Sequence, residues 1–101
     1  MQYTISGNDD EALVSLDGKL TFDEHEVARG LLREMVSSPA ARIVYEMSAV
    51  PAIDSSGIGL LLMTHDRLSK AGKTFMIRGA KGEAARAITL AKVDALISVE
   101  A

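Results

Sequence analysis

The stretch RIVYEMSAVPAIDSSGIGLLL, residues 42–62, changes its period halfway along. From Arg42 to Met47 the apolar residues alternate, with Ile43, Tyr45 and Met47 on one face and Val44 and Glu46 on the other, the period of a strand. Ser48 to Ile53 contains Pro51 and is expected to be a loop. From Ile58 the spacing becomes helical, and Ile58, Leu61, Leu62, His65 and Leu68 share a face. Gly72 stands just past Lys70, where a glycine closes a helix and a cation meets the negative end of its dipole. Lys73 to Arg78 then returns to strand composition. A strand, a helix and a second strand in this rhythm form a crossover unit, so the chain is expected to be an α/β protein.

The flanks extend this pattern. Tyr3–Ser6 and Ala12–Leu16 are β-leaning runs separated by the turn cluster Gly7-Asn8-Asp9-Asp10, which predicts an antiparallel hairpin. Thr21 and Glu24 have the spacing of a capping box. Val27, Leu31 and Met35, with Ala28, Leu32 and Val36 beside them, then predict an amphipathic helix that stops at Ser37-Ser38-Pro39. Gly79 to Gly82 reads as a turn and Glu83 to Lys92 as a helix packing through Ala84, Ala87, Ile88 and Ala91. Val93 to Val99 fits a short helix or a strand equally well. With no repeat, low-complexity segment or linker, the 101 residues are expected to form one domain, residues 1–101. Its sheet would be mixed, of four or five strands, with helices packed mainly on one side.

Composition narrows the function. Hydrophobic residues make up 48% of the chain and aromatics 4%, so a core of aliphatic side chains and methionine is expected. The net charge is −3 with both signs interspersed, which argues against direct nucleic-acid binding. The lack of cysteine removes disulfides, thiol catalysis and thiolate metal sites. No signal peptide is read at the amino terminus. Apolar runs fall well short of the roughly 18 residues of a membrane span, so no membrane insertion is expected.

The stretch Asp54-Ser55-Ser56-Gly57 concentrates the chemistry. Neither serine has the flanking glycines of a nucleophile elbow. His65 lies roughly 13 Å along the same helix at 1.5 Å per residue, out of reach as a base. Gly57 and Gly59 begin a G-x-G pattern, but the third position is Leu62 and no P-loop lysine follows, so close approach of the helix to the sheet explains them better than a phosphate cradle. His25 and His65 lack metal-ligand spacing, and no cofactor is expected. Two roles stay open for the serines: a helix cap, or a cap position that also receives a regulatory phosphate, whose charge a helix N-terminus tolerates.

Ile53-Asp54-Ser55-Ser56-Gly57-Ile58-Gly59 resembles the signature of STAS domains, in particular the bacterial anti-sigma factor antagonists. Gly18-x-Leu20, Ala28, Leu68-x-x-Ala71-Gly72-Lys73 and Ile88-x-Leu90-x-x-Val93-Asp94-x-Leu96 resemble the same family, so the likeness covers nearly the whole chain. The chain departs from the family at Glu46-Met47, Lys19 and Pro51-Ala52, the first two on the expected docking surface. The resemblance implies a cytoplasmic binding module that is not an enzyme. Ser56 would be phosphorylated by a partner kinase of the histidine-kinase-like ATPase fold and restored by a PP2C-type phosphatase. Unphosphorylated protein would hold the anti-sigma factor/serine kinase, and phosphorylated protein would release it. Ser55 would be the cap. The docking face would comprise Asp54, Ser55, Ser56 and Gly57 with Leu60, Met63 and Thr64 of the helix. The alternative is a STAS subunit of a lipid transporter or of a signalling or chemosensory complex, outside sigma-factor control.

Overall fold

A computed structural model describes residues 1–101. The elements in chain order are β1 (Gln2–Gly7), β2 (Glu11–Asp17), α1 (His25–Ser37), β3 (Arg42–Ala49), α2 (Ser55–Lys70), β4 (Thr74–Arg78), α3 (Gly82–Leu90) and β5 (Ser98–Glu100). Short 3-10 turns, Phe22–Glu24 and Val93–Ala95, precede α1 and β5. The strands form one five-stranded sheet in the order β1-β2-β3-β4-β5. β1 and β2 are antiparallel, and every later pair is parallel.

Register explains why the helices pack on one face of the sheet. Val14, Tyr45 and Ile77 stand opposite one another across β2, β3 and β4, as do Ala12, Ile43 and Phe75. All six are buried, together with Leu31, Leu32 and Met35 of α1, Leu61 and Leu68 of α2, and Ala84 and Ile88 of α3, in one cluster. All three helices therefore pack on the same sheet face, as the α/β reading expects. Side chains alternate along a strand, so Leu13, Val44 and Met76 form the equivalent row on the opposite face. Tyr45 and Phe75 meet edge to face with ring centroids 4.8 Å apart, a favourable aromatic geometry.

Several sequence expectations hold. The hairpin forms, α1 stops at Ser37, and Gly72 takes a positive φ of 79°. The Gly72 N–H donates to Ser69 O at 3.0 Å and the Lys73 N–H to Leu68 O at 2.9 Å, the paired bonds of a Schellman closure.

Others are corrected. The Thr21–Glu24 capping box does not form. Thr21 makes no side-chain cap, and the Glu24 carboxylate accepts from the Met1 amino group at 2.8 Å. Val27 and Val36 lie on the flanks of α1, more than a third exposed, because the buried stripe narrows to Leu31, Leu32 and Met35. α3 ends at Leu90, short of the expected Lys92, because Lys92 adopts left-handed φ, and Ala91 is exposed rather than packed. Val93–Val99 divides between the two options, a 3-10 turn followed by a strand parallel to β4.

The packed face of α2 is rotated by roughly a quarter turn from the expected one. It consists of Gly57, Leu60, Leu61, Thr64 and Leu68. Gly57 and Thr64 break the apolar pattern in sequence yet suit burial. Gly57 allows close approach, and the Thr64 hydroxyl donates to Leu60 O at 2.7 Å, so it needs no solvent.

Candidate functional site

The site is the amino-terminal turn of α2 and the segment that braces it. Leu20 and Ile53 form an isolated parallel bridge ahead of α2. The Leu20 N–H donates to Ala52 O at 3.0 Å, and the Asp54 N–H donates to Leu20 O at 3.3 Å. These bonds bring the 20–22 loop against the helix start although it lies more than thirty residues earlier in the chain.

Asp54 is the cap. Its backbone is extended, its Oδ1 accepts from the Gly57 N–H at 2.8 Å, and its Oδ2 accepts from the Phe22 N–H at 3.0 Å. One carboxylate thus ties the first turn of α2 to the neighbouring loop. The Gly57 and Phe22 amide bonds favour the charged form and hold the Asp54 carboxyl below the ordinary aspartate range. Ser55 was expected to be the cap, and the structure corrects this. Ser55 and Ser56 are the first two residues inside the helix, and the capping bond belongs to Asp54. Ser55 is exposed and Ser56 is half-buried.

Gly57 is fixed by sterics. A Cβ there would lie 2.1 Å from the Leu20 carbonyl oxygen and 2.7 Å from Ile53 Cγ2. Gly59 has no such neighbour within 4 Å. The two glycines of the signature therefore differ: the first lets the helix approach the bridge, and the second leaves open surface beside the serines.

Not every expected docking residue is on the surface. Asp54 and Ser55 are exposed, Ser56 is half-buried, and Gly57 is buried with its backbone against Leu20. Leu60 is 7% exposed and belongs to the core, and Thr64 is buried at 4%, so neither can be a contact residue. Met63 is half-buried and lines a groove between α1 and α2.

Phe22 was not singled out by sequence reasoning. It is 62% exposed, stacks on His25 with centroids 4.9 Å apart, and donates its backbone N–H to Asp54. The bond that brings it to Asp54 spans 32 residues, so local spacing carries no trace of it.

The arrangement offers a helix N-terminus whose first turn carries no acidic residue and whose cap is already supplied. The backbone N–H groups of a first turn lack intrahelical partners and favour an anion. No helix is long and apolar enough to cross a membrane.

Comparison with known proteins places the fold. An anti-sigma factor antagonist from Mycobacterium paratuberculosis superposes with a TM-score of 0.86 at 23% identity, over 98% of this chain and 84% of that one. A candidate anti-sigma factor antagonist from Thermotoga maritima gives 0.87 at 18% identity, over 98% and 86%. The Bacillus cell fate determinant SpoIIAA in its phosphorylated form gives 0.72 at 14% identity, over 97% and 90%. These likenesses establish a shared fold. A family model described as "Mlab, STAS domain" matches residues 3–98, and the chain belongs to the STAS domain family.

Proposed function

We propose that this STAS domain is a binding module switched by phosphorylation of Ser56. It sequesters an anti-sigma factor/serine kinase of the histidine-kinase-like ATPase fold when Ser56 is free. It releases that partner when Ser56 is phosphorylated, and a PP2C-type phosphatase restores the binding form. It works in the cytoplasm and acts by binding rather than by catalysis.

The observation that carries this is the division of labour at the start of α2. Asp54 provides the cap, so Ser56 is not needed for it and sits at the helix surface in the second helical position. A phosphate there adds about −1.5 to −2 charge beside an ionised Asp54, at a helix end that tolerates anions. The domain stays folded while its docking face becomes strongly negative. Like-charge contact across an interface costs a few kcal/mol, which is about a hundredfold in affinity. The likeness to SpoIIAA in a phosphorylated form supports the same reading.

The test is mass spectrometry after incubation with the candidate kinase and ATP, paired with binding measurements. Phosphate is expected on Ser56, and Ser56→Asp is expected to lose kinase binding. Wild-type affinity in Ser56→Asp, with phosphate still incorporated in Ser56→Ala, would overturn the proposal.

One observation favours a second role: the matching family model is described as Mlab and not as an antagonist. The chain would then be a STAS subunit of a lipid transporter or a signalling complex, with Ser56 as an unmodified contact residue. Genes for a permease and an ATPase beside this one, and a stable complex with that ATPase unaffected by Ser56→Asp, would select this role.

A further inference from the structure

A groove of about 380 Å³ runs between α1 and α2, with Arg29 and Arg33 on one wall and Met63 and Arg67 on the other. Leu32 and Val36 complete its apolar lining. The chain carries a net charge of −3, so this local excess of cations runs against its overall balance. The ion pairs of the molecule are Met1–Glu24, Glu11–Arg42, Asp66–Lys70 and Arg78–Glu100, and none uses the groove arginines. Nearby acids are engaged or turned aside. Asp66 pairs with Lys70 at 3.1 Å and Glu34 accepts from the Tyr3 hydroxyl at 3.3 Å, while Glu26 shares an adjoining hollow with His25, Arg29 and Arg33 without forming an ion pair to either arginine.

The groove is also continuous with the Ser56 face. Residues seven and eleven positions apart on a helix fall within roughly 20° of one stripe, so Ser56, Met63 and Arg67 lie along one flank of α2. Ser56 begins the flank and the groove occupies its middle.

We infer that this groove docks an acidic amphipathic segment of a protein partner, with apolar side chains against Val36 and Met63 above the buried Leu32 and carboxylates against Arg29, Arg33 and Arg67. Guanidinium groups suit bidentate pairing with carboxylates. Arg29 to Val36 spans roughly 10 Å of helix, about two turns of a docked partner helix with anchors at i, i+3, i+4 and i+7. Shape argues against a small anion. Arg29, Arg33, Val36 and Arg67 are all exposed, so a small ligand would stay largely wetted, whereas small-molecule sites bury most of theirs. No aromatic side chain lines the groove to stack a base. That the occupant is a protein rests on the binding-module role proposed above.

The test is an NMR titration of the full, unphosphorylated chain with a synthetic helical peptide bearing leucine at i, i+3, i+4 and i+7 and glutamate elsewhere. Saturable shifts are expected at the Arg29, Arg33 and Arg67 side chains and the Met63 methyl. Arg29→Glu/Arg67→Glu should weaken binding about tenfold, while the α3-side control Lys81→Glu/Arg86→Glu leaves it unchanged. Raising sodium chloride from about 0.05 M to about 0.5 M should weaken it further. The inference is overturned by absence of shifts, by equal binding of a lysine-for-glutamate peptide, or by tripolyphosphate saturating the same signals at lower concentration. It is also overturned if the same signals shift on raising protein concentration alone, which would make the occupant a second copy. The titration reads the groove in unphosphorylated protein and the phosphorylation assay reads Ser56 alone, so failure of one is distinguishable from failure of the other.

Discussion

At the start of α2 three bonds and one close contact converge. Asp54 accepts from Gly57 and Phe22, its own N–H reaches Leu20, and Gly57 lies against the Leu20 carbonyl. At the start of α1 there is no side-chain cap, and a 3-10 turn leads into the helix. The two helices run side by side on the same sheet face, yet only α2 has a side-chain cap on its first-turn N–H, while the entry to α1 is held from outside by the Met1 amino group on Glu24. Fixing a helix end in this way limits fraying of the turn that carries the two serines. Neither α1 nor α3 has a side-chain cap, so capping is particular to α2 and is not a general device of the fold.

The largest test of that contrast is Gly57→Ala. Alanine would gain up to about 1 kcal/mol of helix propensity. Its Cβ, however, would sit 2.1 Å from a backbone oxygen that is itself hydrogen-bonded to Asp54. Neither side can yield without breaking the bridge, so a net loss of about 3 kcal/mol is expected. Urea unfolding checks this, and a midpoint equal to wild type would show that the α2 start is not tightly seated.

Asp54→Asn comes next. The folded carboxyl titrates below its ordinary range because the charged form accepts the Gly57 and Phe22 amides. Its stabilisation is therefore fully present above the unfolded aspartate pKa of about 4 and is lost as pH falls through the lowered folded value. Asn keeps one acceptor oxygen but no charge. The wild type should melt a few degrees higher than Asp54→Asn at neutral pH, with the gap narrowing at acid pH. A gap that stays constant with pH would leave the bond geometry intact but remove the role of charge.

Gly59→Ala should move in the reverse direction from Gly57→Ala. Nothing lies within 4 Å of its added Cβ, and it sits on the exposed side of the helix. The relief of glycine's backbone entropy should stabilise the domain by about 0.5–1 kcal/mol. The same variant tests function, because a methyl beside the serines would hinder a closely docked partner. Higher thermal stability with weaker partner binding is the expected pair of outcomes.

Much of this was legible in sequence, and the parts that were not share a cause. The alternation at Ile43–Met47 and the glycine at 72 are local signals, and both gave the observed elements. The signature at Asp54–Gly57 is equally local, and it falls on the first turn of α2, where the cap and the Leu20–Ile53 bridge meet. The rotated face of α2 was not legible, because Thr64 satisfies its own hydroxyl inside the helix and so can be buried where the pattern demands an apolar residue. That rotation also moved Leu60 from the expected docking surface into the core. Phe22 was missed because its place beside Asp54 depends on the Leu20–Ile53 bridge, a contact that no periodicity encodes.

The smallest effects are expected at the two hydroxyls that spacing marks as caps, Thr21 and Ser55. In a capping box the side chain of the first residue accepts from the N–H three residues on. Counted from Thr21 that N–H belongs to Glu24, and it donates at 2.9 Å to the Thr21 backbone carbonyl instead. Asp54 captures the N–H of Gly57 one step ahead of where Ser55 would act. In both cases the backbone enters its helix by a route that leaves the hydroxyl without a capping bond. Thr21→Ala and Ser55→Ala should therefore each fall within about 0.5 kcal/mol of wild type in urea unfolding. A loss of about 1 kcal/mol at Ser55, the usual size of a lost cap, would mean that the helix start is shared between Asp54 and Ser55 in solution. In that case phosphorylation at Ser56 would act on a helix end that is still adjustable, and the contrast with α1 would weaken accordingly.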